Sequence, residues 1–472
     1  MTSPGIPPRP YAIAHRGASA YAPANTLAAF RKAAELGADM WEVDIRVSAD
    51  GIPIVHHDAT LASGEALNAL SRAALREIMP DCPDLSQVVA LAAELGSGIY
   101  ADIKDADAAL ATMHLLQDAE IAPVIIGAFS PEIVQTLKEA GSTYPVAGLV
   151  PLGADPHSHA KDADIIHLCW ERMPAPQDTL TRELFGRAFR DGKEVVLWHE
   201  EDPERMAAIR TKPVTGICSD MPELVNPFRP PSDYPFDIVC HRGANSIAPE
   251  NTLPALECAL AAGFGYIEVD LHITSDGEIV VIHDNTLDRT TDGSGPVTQH
   301  SLAELRALDA GGWADPFFAG IKVPTLGEVL DLLKRYAGRA YLEFKSAPPK
   351  PVLDQVERAG LLDRVFFWSF NRDFLVELRT LSPAAKIMAR RQDYASLEET
   401  IADFDANIVE FIPTEEIFEI APLRGSQVKS MLAYMGDDTE IFAKMLQVRP
   451  DLFNLNQPFA FSRFVDRGRR DG

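Results

Sequence analysis

Short apolar runs alternate with segments of helical periodicity along the whole chain. The first run, residues 11–14, precedes residues 25–37, where apolar positions recur at helical spacing between an N-cap candidate, Asn25 or Thr26, and a glycine suited to a helix end. Further strands are predicted at residues 40–45, 52–58, 98–104, 122–129, 146–150, 164–168, 194–198 and 216–220. Such strand-like runs separated by helices predict a closed parallel α/β barrel.

The same pattern starts again in the second half of the chain. Residues 14–26 are repeated as residues 240–252, a displacement of 226 residues. This displacement also joins four pairs of ionisable residues: His15 and His241, Glu42 and Glu268, Asp44 and Asp270, and His57 and His283. The protein therefore consists of two homologous units, and each chemical argument applies to both.

A proline-rich segment at residues 227–235 separates the units, and it is predicted to be a linker because proline fixes φ and removes backbone donors. Strands of the second unit are predicted at residues 236–240, 266–271, 279–283, 340–345 and 365–370. A length of 472 residues with this repeat predicts two tandem (β/α)8 TIM barrels, at residues 9–227 and 236–466.

The charge balance is strongly acidic, with 43 Lys and Arg against 69 Asp and Glu and a net charge of −26. Such a charge repels nucleic acid and anionic membrane surfaces, so neither partner is expected. The 5 cysteines lack CxxC spacing, which argues against a disulfide framework or a zinc site. No apolar run reaches the length of a membrane span, and residues 1–10 lack the basic and apolar parts of a signal peptide. We therefore expect a cytoplasmic protein without stable membrane insertion.

Two carboxylates two positions apart end a predicted strand in each unit, as Glu42 and Asp44 do in the first. This spacing puts both side chains on the same side of the strand. Asp102 ends a neighbouring strand, and the carboxyl ends of parallel barrel strands meet at one face. The matched set of the second unit is Glu268, Asp270 and Glu343. Three oxygen ligands without sulfur favour Mg²⁺ or Ca²⁺ over zinc.

Each unit also carries two histidines and two basic residues at the ends of predicted strands, all expected at the same face of a parallel barrel. They are His15, His57, Arg16 and Lys104 in the first unit, and His241, His283, Arg242 and Lys345 in the second. Histidine titrates near neutral pH and suits general acid and base catalysis, while Arg and Lys bind phosphate. Four further histidines lack counterparts in the second unit and are interpreted as non-catalytic: His56, His157, His159 and His199.

Four motifs of the second unit are His-Arg-Gly at residues 241–243, Pro-Glu-Asn-Thr at 249–252, Glu-x-Asp at 268–270 and Ile-His-Asp-Asn-Thr-Leu-Asp-Arg-Thr-Thr-Asp-Gly at 282–293. Together they resemble the glycerophosphodiester phosphodiesterase family, and residues 343–345 and 369–371 fit its later strands. The resemblance implies a metal-dependent TIM-barrel enzyme that hydrolyses small-molecule glycerophosphodiesters to glycerol 3-phosphate and an alcohol. It also implies that a neighbouring glycerol hydroxyl attacks phosphorus, and that water then opens a cyclic phosphate.

Position by position, the resemblance implies a role for each matched residue. His241 and His283 are implied as the acid–base pair, with His15 and His57 as their counterparts in the first unit. The implied metal ligands are Glu268, Asp270, Glu343, Glu42, Asp44 and Asp102. The implied phosphate-binding residues are Arg242, Lys345, Arg16 and Lys104.

Both units depart from the family pattern, in different places. In the first unit Ala24 replaces the glutamate of Pro-Glu-Asn-Thr, Asp102 replaces a glutamate, and residues 59–65 lack the Arg-Thr-Thr segment. In the second unit residues 430–434 lack a tryptophan and residues 453–458 lack a Ser-Asp ending. We therefore expect the second barrel to be the main catalyst.

Two alternatives stay open at this level. One is a lyase-like relative that releases a cyclic phosphate from a lysophospholipid or a sugar-phosphate diester. In the other, one barrel is a non-catalytic phosphodiester-binding module.

Overall fold

The computed structural model describes residues 9–170, 173 and 175–470. The chain divides into two compact units, Met1–Asn226 and Pro227–Gly472. The segment 1–8, which belongs to the stretch interpreted as lacking a signal peptide, lies outside the described residues. Among the described residues, no helix combines the length and the apolar character that crossing a membrane requires.

The first unit contains nine strands and eight α-helices within its described residues. The strands are β1 (Tyr11–Ala14), β2 (Met40–Val47), β3 (Pro53–Val55), β4 (Gly98–Ile103), β5 (Val124–Ala128), β6 (Val146–Val150), β7 (Ile165–Leu168), β8 (Glu194–Leu197) and β9 (Gly216–Ser219). The helices are α1 (Leu27–Glu35), α2 (Arg72–Ile78), α3 (Leu85–Leu95), α4 (Ala109–Gln117), α5 (Pro131–Glu139), α6 (Pro156–His159), α7 (Arg182–Arg190) and α8 (Pro203–Ile209).

Eight parallel strands of the first unit close into a barrel in the order β1-β2-β4-β5-β6-β7-β8-β9. Closure is made by β1, where Ile13 pairs with Met40 of β2 and Ala14 pairs with Ser219 of β9. Large buried side chains such as Tyr100 fill the interior. The predicted parallel barrel is confirmed.

The helix predicted at residues 25–37 shows how local sequence places the first loop. Thr26 is the N-cap, since its side chain accepts a hydrogen bond from the Ala29 N–H, and Gly37 ends the helix with φ +81°. Asn25, the other N-cap candidate, has φ +61°, and its side chain donates to Asp44 Oδ2 at 2.7 Å.

The second unit repeats the architecture with nine strands and eight α-helices in its described part. The strands are β10 (Asp237–Cys240), β11 (Tyr266–Ile273), β12 (Ile279–Val281), β13 (Arg339–Phe344), β14 (Val365–Ser369), β15 (Met388–Arg390), β16 (Ile408–Phe411), β17 (Lys429–Tyr434) and β18 (Leu452–Leu455). The helices are α9 (Leu253–Ala261), α10 (Leu302–Ala307), α11 (Leu326–Arg335), α12 (Pro349–Ala359), α13 (Arg372–Leu381), α14 (Leu397–Ala402), α15 (Thr439–Val448) and α16 (Pro458–Arg470).

The second barrel is nearly closed, in the order β10-β11-β13-β14 and β15-β16-β17-β18, with β18 paired to β10. Between β14 and β15 the ladder is reduced to a bridge of Phe367 with Ile387 and a hydrogen bond from the Phe367 N–H to the Lys386 carbonyl at 2.9 Å. The eight-stranded parallel arrangement therefore holds in both units.

One expectation was wrong in both units. The runs at residues 52–58 and 279–283 are not parallel barrel strands, because β3 pairs antiparallel with β2 and β12 pairs antiparallel with β11. His57 and His283 therefore follow a hairpin arm rather than a barrel strand. Each arm packs with the following loops in a separate small hydrophobic cluster, built around Ile54 in the first unit and Val280 in the second.

The segment 227–235 contains neither helix nor strand, as its prolines predict. It is nevertheless anchored within the second unit. The Phe228 ring lies 6.0 Å from Phe236 and 5.9 Å from Phe264, and its N–H donates to the Ala262 carbonyl at 2.7 Å.

Candidate active site

The turn after the first strand of each barrel holds an arginine in the left-handed region, with φ +56° at Arg16 and +57° at Arg242. This conformation is costly for a side chain with a Cβ. It aims the Arg16 N–H at Glu42 Oε2 (2.9 Å) and the Arg242 N–H at Glu268 Oε2 (2.7 Å). The next residue must be glycine, since a Cβ on Gly243 would lie 2.8 Å from the backbone at the start of α9. The His-Arg-Gly motif thus directs the backbone N–H of its arginine toward the glutamate of the site.

The predicted carboxylates meet at the carboxyl ends of neighbouring strands in both barrels. In each unit three oxygen atoms, one from each residue, lie within 4.8 Å of one another and are buried. The clusters are Glu42, Asp44 and Asp102 in the first unit, and Glu268, Asp270 and Glu343 in the second. Strand register explains the convergence, since Asp44 pairs with Asp102 and Asp270 pairs with Glu343.

These clusters fit a divalent cation on their own chemistry. Glu42 Oε1 and Glu268 Oε1 are buried and have no hydrogen-bond partner in the described part of the chain. Burial, followed by the charge of the neighbouring aspartate, raises the pKa of both glutamates well above its usual range. Burial likewise raises the pKa of Asp102 to about 6 and that of Glu343 to about 7. A bound cation would relieve this repulsion, and oxygen-only ligands suit a hard ion.

A lysine lies against each cluster, as predicted. Lys104 Nζ is 2.9 Å from Asp44 Oδ1 and also bonds Asp102, while Lys345 Nζ is 3.1 Å from Asp270 Oδ1 and also bonds Glu343. Burial alone would lower the pKa of each ammonium group, but the carboxylates raise it above its ordinary value. Both lysines therefore stay charged and can hold an anion at the cluster.

The arginines differ between the barrels because of one nearby residue. Arg16 Nε lies 3.1 Å from Asp44 Oδ2. Arg242 Nε lies 3.7 Å from Asp270 Oδ2, and its Nη1 donates instead to Glu250 Oε1 at 2.9 Å. The first unit has alanine at the position of Glu250, so its arginine is drawn onto the carboxylate cluster.

The first histidine of each pair directly follows the first barrel strand. His241 Nδ1 lies 2.6 Å from Asn456 Oδ1, and its Nε2 lies 4.0 Å from Glu268 Oε2. Burial, followed by the Arg242 charge, lowers the pKa of His241 to about 4. In the first barrel His15 Nδ1 lies 2.7 Å from Asp220 Oδ1.

The second histidine of each pair is carried by the hairpin arm. His283 Nδ1 lies 2.6 Å from Asp284 Oδ1, and Arg289 donates to Asp284 Oδ2 at 2.7 Å. The hydrogen bonds from Arg289 and His283 hold the pKa of Asp284 well below its usual range. Arg289 also donates to Glu250 at 2.7 Å, which ties the arm to the Arg242 turn. The His283 charge contributes to lowering the pKa of His241, so the two imidazoles share one electrostatic environment.

The equivalent arm of the first barrel lacks this network. His57 Nδ1 bonds Asp58 at 2.8 Å, but the His57 side chain is 46% exposed, against 31% for His283. No arginine matches Arg289 in residues 59–65. The second barrel therefore has the more enclosed arrangement.

Sequence reasoning missed two residues at these sites. His199, interpreted as non-catalytic, follows β8 and stacks on the His15 ring at 4.6 Å with an interplanar angle of 11°. Glu410 of β16 is buried, accepts a hydrogen bond from Asn454 at 3.2 Å, and has its pKa raised to about 7 by burial. The only available signal for His199 was its place after a predicted strand, and the short strand β16 was not predicted.

Two parallel eight-stranded barrels, each with buried carboxylates, a lysine and two histidines at one face, define a tandem TIM-barrel protein with two candidate active sites. The chain belongs to the glycerophosphoryl diester phosphodiesterase family, whose family model matches residues 15–224 and 241–407. The resemblance read from the motifs is thereby confirmed.

Known proteins with similarity to the chain bear the same family name. A glycerophosphodiester phosphodiesterase of Bacillus subtilis (strain 168) is 38% identical over 188 residues, which cover 34% of this chain and 64% of that relative. A glycerophosphodiester phosphodiesterase of Caldanaerobacter subterraneus subsp. tengcongensis is 36% identical over 156 residues, 32% of this chain and 64% of the relative. The chain thus spans less than two thirds of the length of these relatives.

Solved structures match about half of the chain. A glycerophosphodiester phosphodiesterase from Agrobacterium tumefaciens str. C58 is 36% identical with a TM-score of 0.46, covering 48% of this chain and 99% of that structure. A phosphodiesterase from Oleispira antarctica, solved in complex with the product sn-glycerol 3-phosphate, is 26% identical with a TM-score of 0.44, covering 50% of this chain and 98% of that structure.

Proposed function

We propose that the second barrel hydrolyses glycerophosphodiesters to glycerol 3-phosphate and an alcohol. The observation that carries this proposal is the buried cluster of Glu268, Asp270 and Glu343 beside the Lys345 ammonium, with His241 4.0 Å from Glu268. This arrangement combines a cation site, an anion-binding group and proton carriers at one barrel mouth. Membership of the family supports the same substrate class.

A divalent cation, Mg²⁺ or Ca²⁺, would be held by Glu268, Asp270 and Glu343. When bound, it supplies positive charge that polarises a phosphoryl oxygen. Lys345 and Arg242 bind the remaining phosphate oxygens, since Arg offers planar paired donors and Lys a point charge.

His241 is the base of the first step. Its Nδ1 is engaged by Asn456, which leaves the Nε2 lone pair as acceptor on the side of Glu268. Nε2 takes the proton of the glycerol hydroxyl next to the phosphodiester, and that oxygen bonds phosphorus. The bond from phosphorus to the leaving alcohol breaks, and His283, held by Asp284, donates a proton to the departing oxygen.

Water completes the reaction by the reverse roles. His283 takes a proton from water, the water oxygen bonds phosphorus, and the ring P–O bond opens. His241 returns its proton to the glycerol oxygen, and both histidines regain their starting states. Glycerol 3-phosphate is the product.

The first barrel keeps the two histidines, the arginine and the lysine, but has Asp102 where the second has Glu343, and is proposed as a weaker or differently specific site. Its arginine lies on Asp44 rather than on a glutamate, and its arm histidine His57 is more exposed. The first difference weakens phosphate binding by Arg16, and the second leaves His57 less firmly positioned as a proton carrier.

The test uses the full chain with Mg²⁺ and glycerophosphocholine. His283→Ala should lower kcat/KM by about 10²- to 10⁴-fold, the usual cost of losing a general acid or base. The matched variant His57→Ala should leave most of the activity in place. Activity retained by the double variant His241→Ala/His283→Ala would transfer catalysis to the first barrel, and phosphorus NMR showing a persistent cyclic phosphate would establish the lyase alternative.

A further inference from the structure

Arg390 ends β15 at the mouth of the second barrel, where it lies against two aromatic rings. Its Cζ is 5.0 Å from the Trp368 ring centroid and 4.9 Å from that of Phe370, and the rings meet edge to face at 4.4 Å. Arg390 also bonds Asp393 through Nε (3.1 Å) and Nη2 (2.8 Å). The guanidinium is thus held in one orientation by packing and by an ion pair.

The same aromatic ring connects Arg390 to the candidate active site. Lys345 Nζ, which lies on the carboxylate cluster, is 5.7 Å from the Phe370 centroid. Phe370 is 71% exposed, so its ring lies open to solvent at the mouth. Two cations therefore lie on one ring, Lys345 at the cluster and Arg390 further along the rim.

Half of this arrangement is shared with the first barrel. There Lys104 Nζ lies 5.4 Å from the centroid of Phe129, the residue that follows β5 as Phe370 follows β14. An aromatic ring beside the active-site lysine is therefore common to both units. Within the described residues of the first unit, no second cation lies on this ring.

In the first barrel, a small residue and an apolar residue occupy the positions that correspond to Trp368 and Arg390. Gly127 pairs with the third carboxylate of the first cluster, as Trp368 pairs with that of the second. A Cβ on Gly127 would lie 2.8 Å from Leu149 of β6, the strand that corresponds to β15. The contact of Trp368 with Arg390 is thus replaced by a contact of glycine with leucine.

We propose that Arg390 binds an anionic group carried by the leaving alcohol, so that the second barrel prefers glycerophosphodiesters whose alcohol bears a carboxylate or a second phosphate. This inference rests on the proposed function of the same site. Asp393 occupies Nε and Nη2, and within the described residues Nη1 has no hydrogen bond to protein. The open Nη1 group can donate to a carboxylate or phosphate oxygen, and it belongs to a positive group in a protein with a net charge of −26.

Two substrates that differ by one carboxylate test the proposal: glycerophosphoserine and glycerophosphoethanolamine. The full chain carrying His57→Ala, which reports the second barrel, is assayed with Mg²⁺ and each diester. Arg390→Gln should lower the kcat/KM ratio of the serine over the ethanolamine substrate about tenfold, and Arg390→Lys should restore part of it. The control is Arg372→Gln, because Arg372 on α13 makes the same kinds of contact, 5.0 Å from the Phe404 ring and paired with Asp403.

Equal loss on both substrates would overturn the proposal and make Arg390 a structural part of the mouth. A preference of the parent protein for glycerophosphoethanolamine or glycerophosphocholine would also overturn it, because the open face of Phe370 would then be selecting an ammonium group. If neither diester is hydrolysed, the proposed function fails, and calorimetric binding of the two diesters by the parent and Arg390→Gln proteins still decides the preference. Equal affinities in the parent protein would refute it.

Discussion

His241 and Asn456 form a hydrogen bond of 2.6 Å that defines which ring nitrogen carries the proton. The Asn456 oxygen also accepts from Asn245 Nδ2 at 2.9 Å, so it acts as an acceptor and His241 Nδ1 is the donor. At the matched position of the first barrel, His15 faces the Asp220 carboxylate at 2.7 Å. The first histidine is therefore hydrogen-bonded to an amide oxygen in the second barrel and to a carboxylate in the first.

Replacing Asn456 with Asp should narrow the pH range of the second barrel. The pKa of His241 lies at about 4, below its ordinary value, so the base is unprotonated throughout the neutral range. A carboxylate at this position stabilises the imidazolium and raises the pKa of His241. The acid limb of kcat/KM should then move to higher pH, as pH–rate profiles between pH 4 and 9 would show. Asp220→Asn in the first barrel is the control, and an unmoved acid limb in Asn456→Asp would contradict the prediction.

Removing Glu250 should weaken metal binding by the second barrel. With Ala at this position, Arg242 loses its 2.9 Å hydrogen bond and can close onto Asp270, as Arg16 lies 3.1 Å from Asp44 in the first barrel. A cation on Asp270 competes with a metal ion for the same oxygens. Titration calorimetry with Mn²⁺ should show an affinity for Glu250→Ala reduced about tenfold. A variant that binds Mn²⁺ as the parent does would show that Arg242 stays in place without Glu250.

Divalent cations should stabilise the folded chain, and a chelator should reverse the effect. A ligand that binds only the native state at a hundred times its Kd adds about 2.7 kcal/mol to the free energy of unfolding. Mg²⁺ or Ca²⁺ should therefore raise the melting temperature measured by calorimetry, and EDTA should lower it. Asp270→Asn should remove the part of the rise that belongs to the second barrel. A melting temperature indifferent to all three additions would argue against a metal at either cluster.

Acid should destabilise the first unit through a buried histidine. His167 lies inside the barrel, 2.6 Å from the Tyr100 hydroxyl, and burial lowers the pKa of His167 to about 3. Because the unfolded chain takes up this proton near pH 6.5 and the folded chain does not, stability is full above that pH and falls as the pH drops toward 3. The loss is about 1.4 kcal/mol per pH unit between these values.

Urea unfolding at a series of pH values measures this slope. His167→Gln should flatten it, whereas His114→Gln on the exposed surface of α4 should leave it as in the parent protein. An unchanged slope in His167→Gln would place the acid sensitivity elsewhere.

Local pattern was enough to predict the barrels and the convergence of the carboxylates. Alternating strands and helices indicate a parallel sheet, the unit length of about 220 to 240 residues favours a barrel, and the i, i+2 spacing of Glu268 and Asp270 puts both on one face of β11. Because the sequence repeats, the same predictions apply to both units. Asp270 pairs with Glu343 in the parallel register of β11 and β13.

What the sequence could not show depends on pairing direction and on distant partners. An apolar run such as β12 has the same pattern whether it pairs parallel or antiparallel, so the hairpin that carries His283 was read as a barrel strand. Arg390 lies on a strand of three residues, too short to give a periodic signal. The missing Ser-Asp ending of the last strand was visible in the sequence, but not that Asn456 replaces it, because its partner His241 is more than two hundred positions away.

The antiparallel arms have a consequence for how the two copies could change. Closure of each barrel depends on its eight parallel strands, whereas β3 and β12 each pair with one neighbour and rest on a small cluster of their own. An arm can therefore be shortened, and its residues can be exposed or replaced, without disrupting the parallel barrel. The arms are also where the duplicated units differ, in the exposure of His57 and in the missing arginine. After a gene duplication of this fold, the arm of one copy can accumulate substitutions, whereas the eight barrel strands of both copies must still fold.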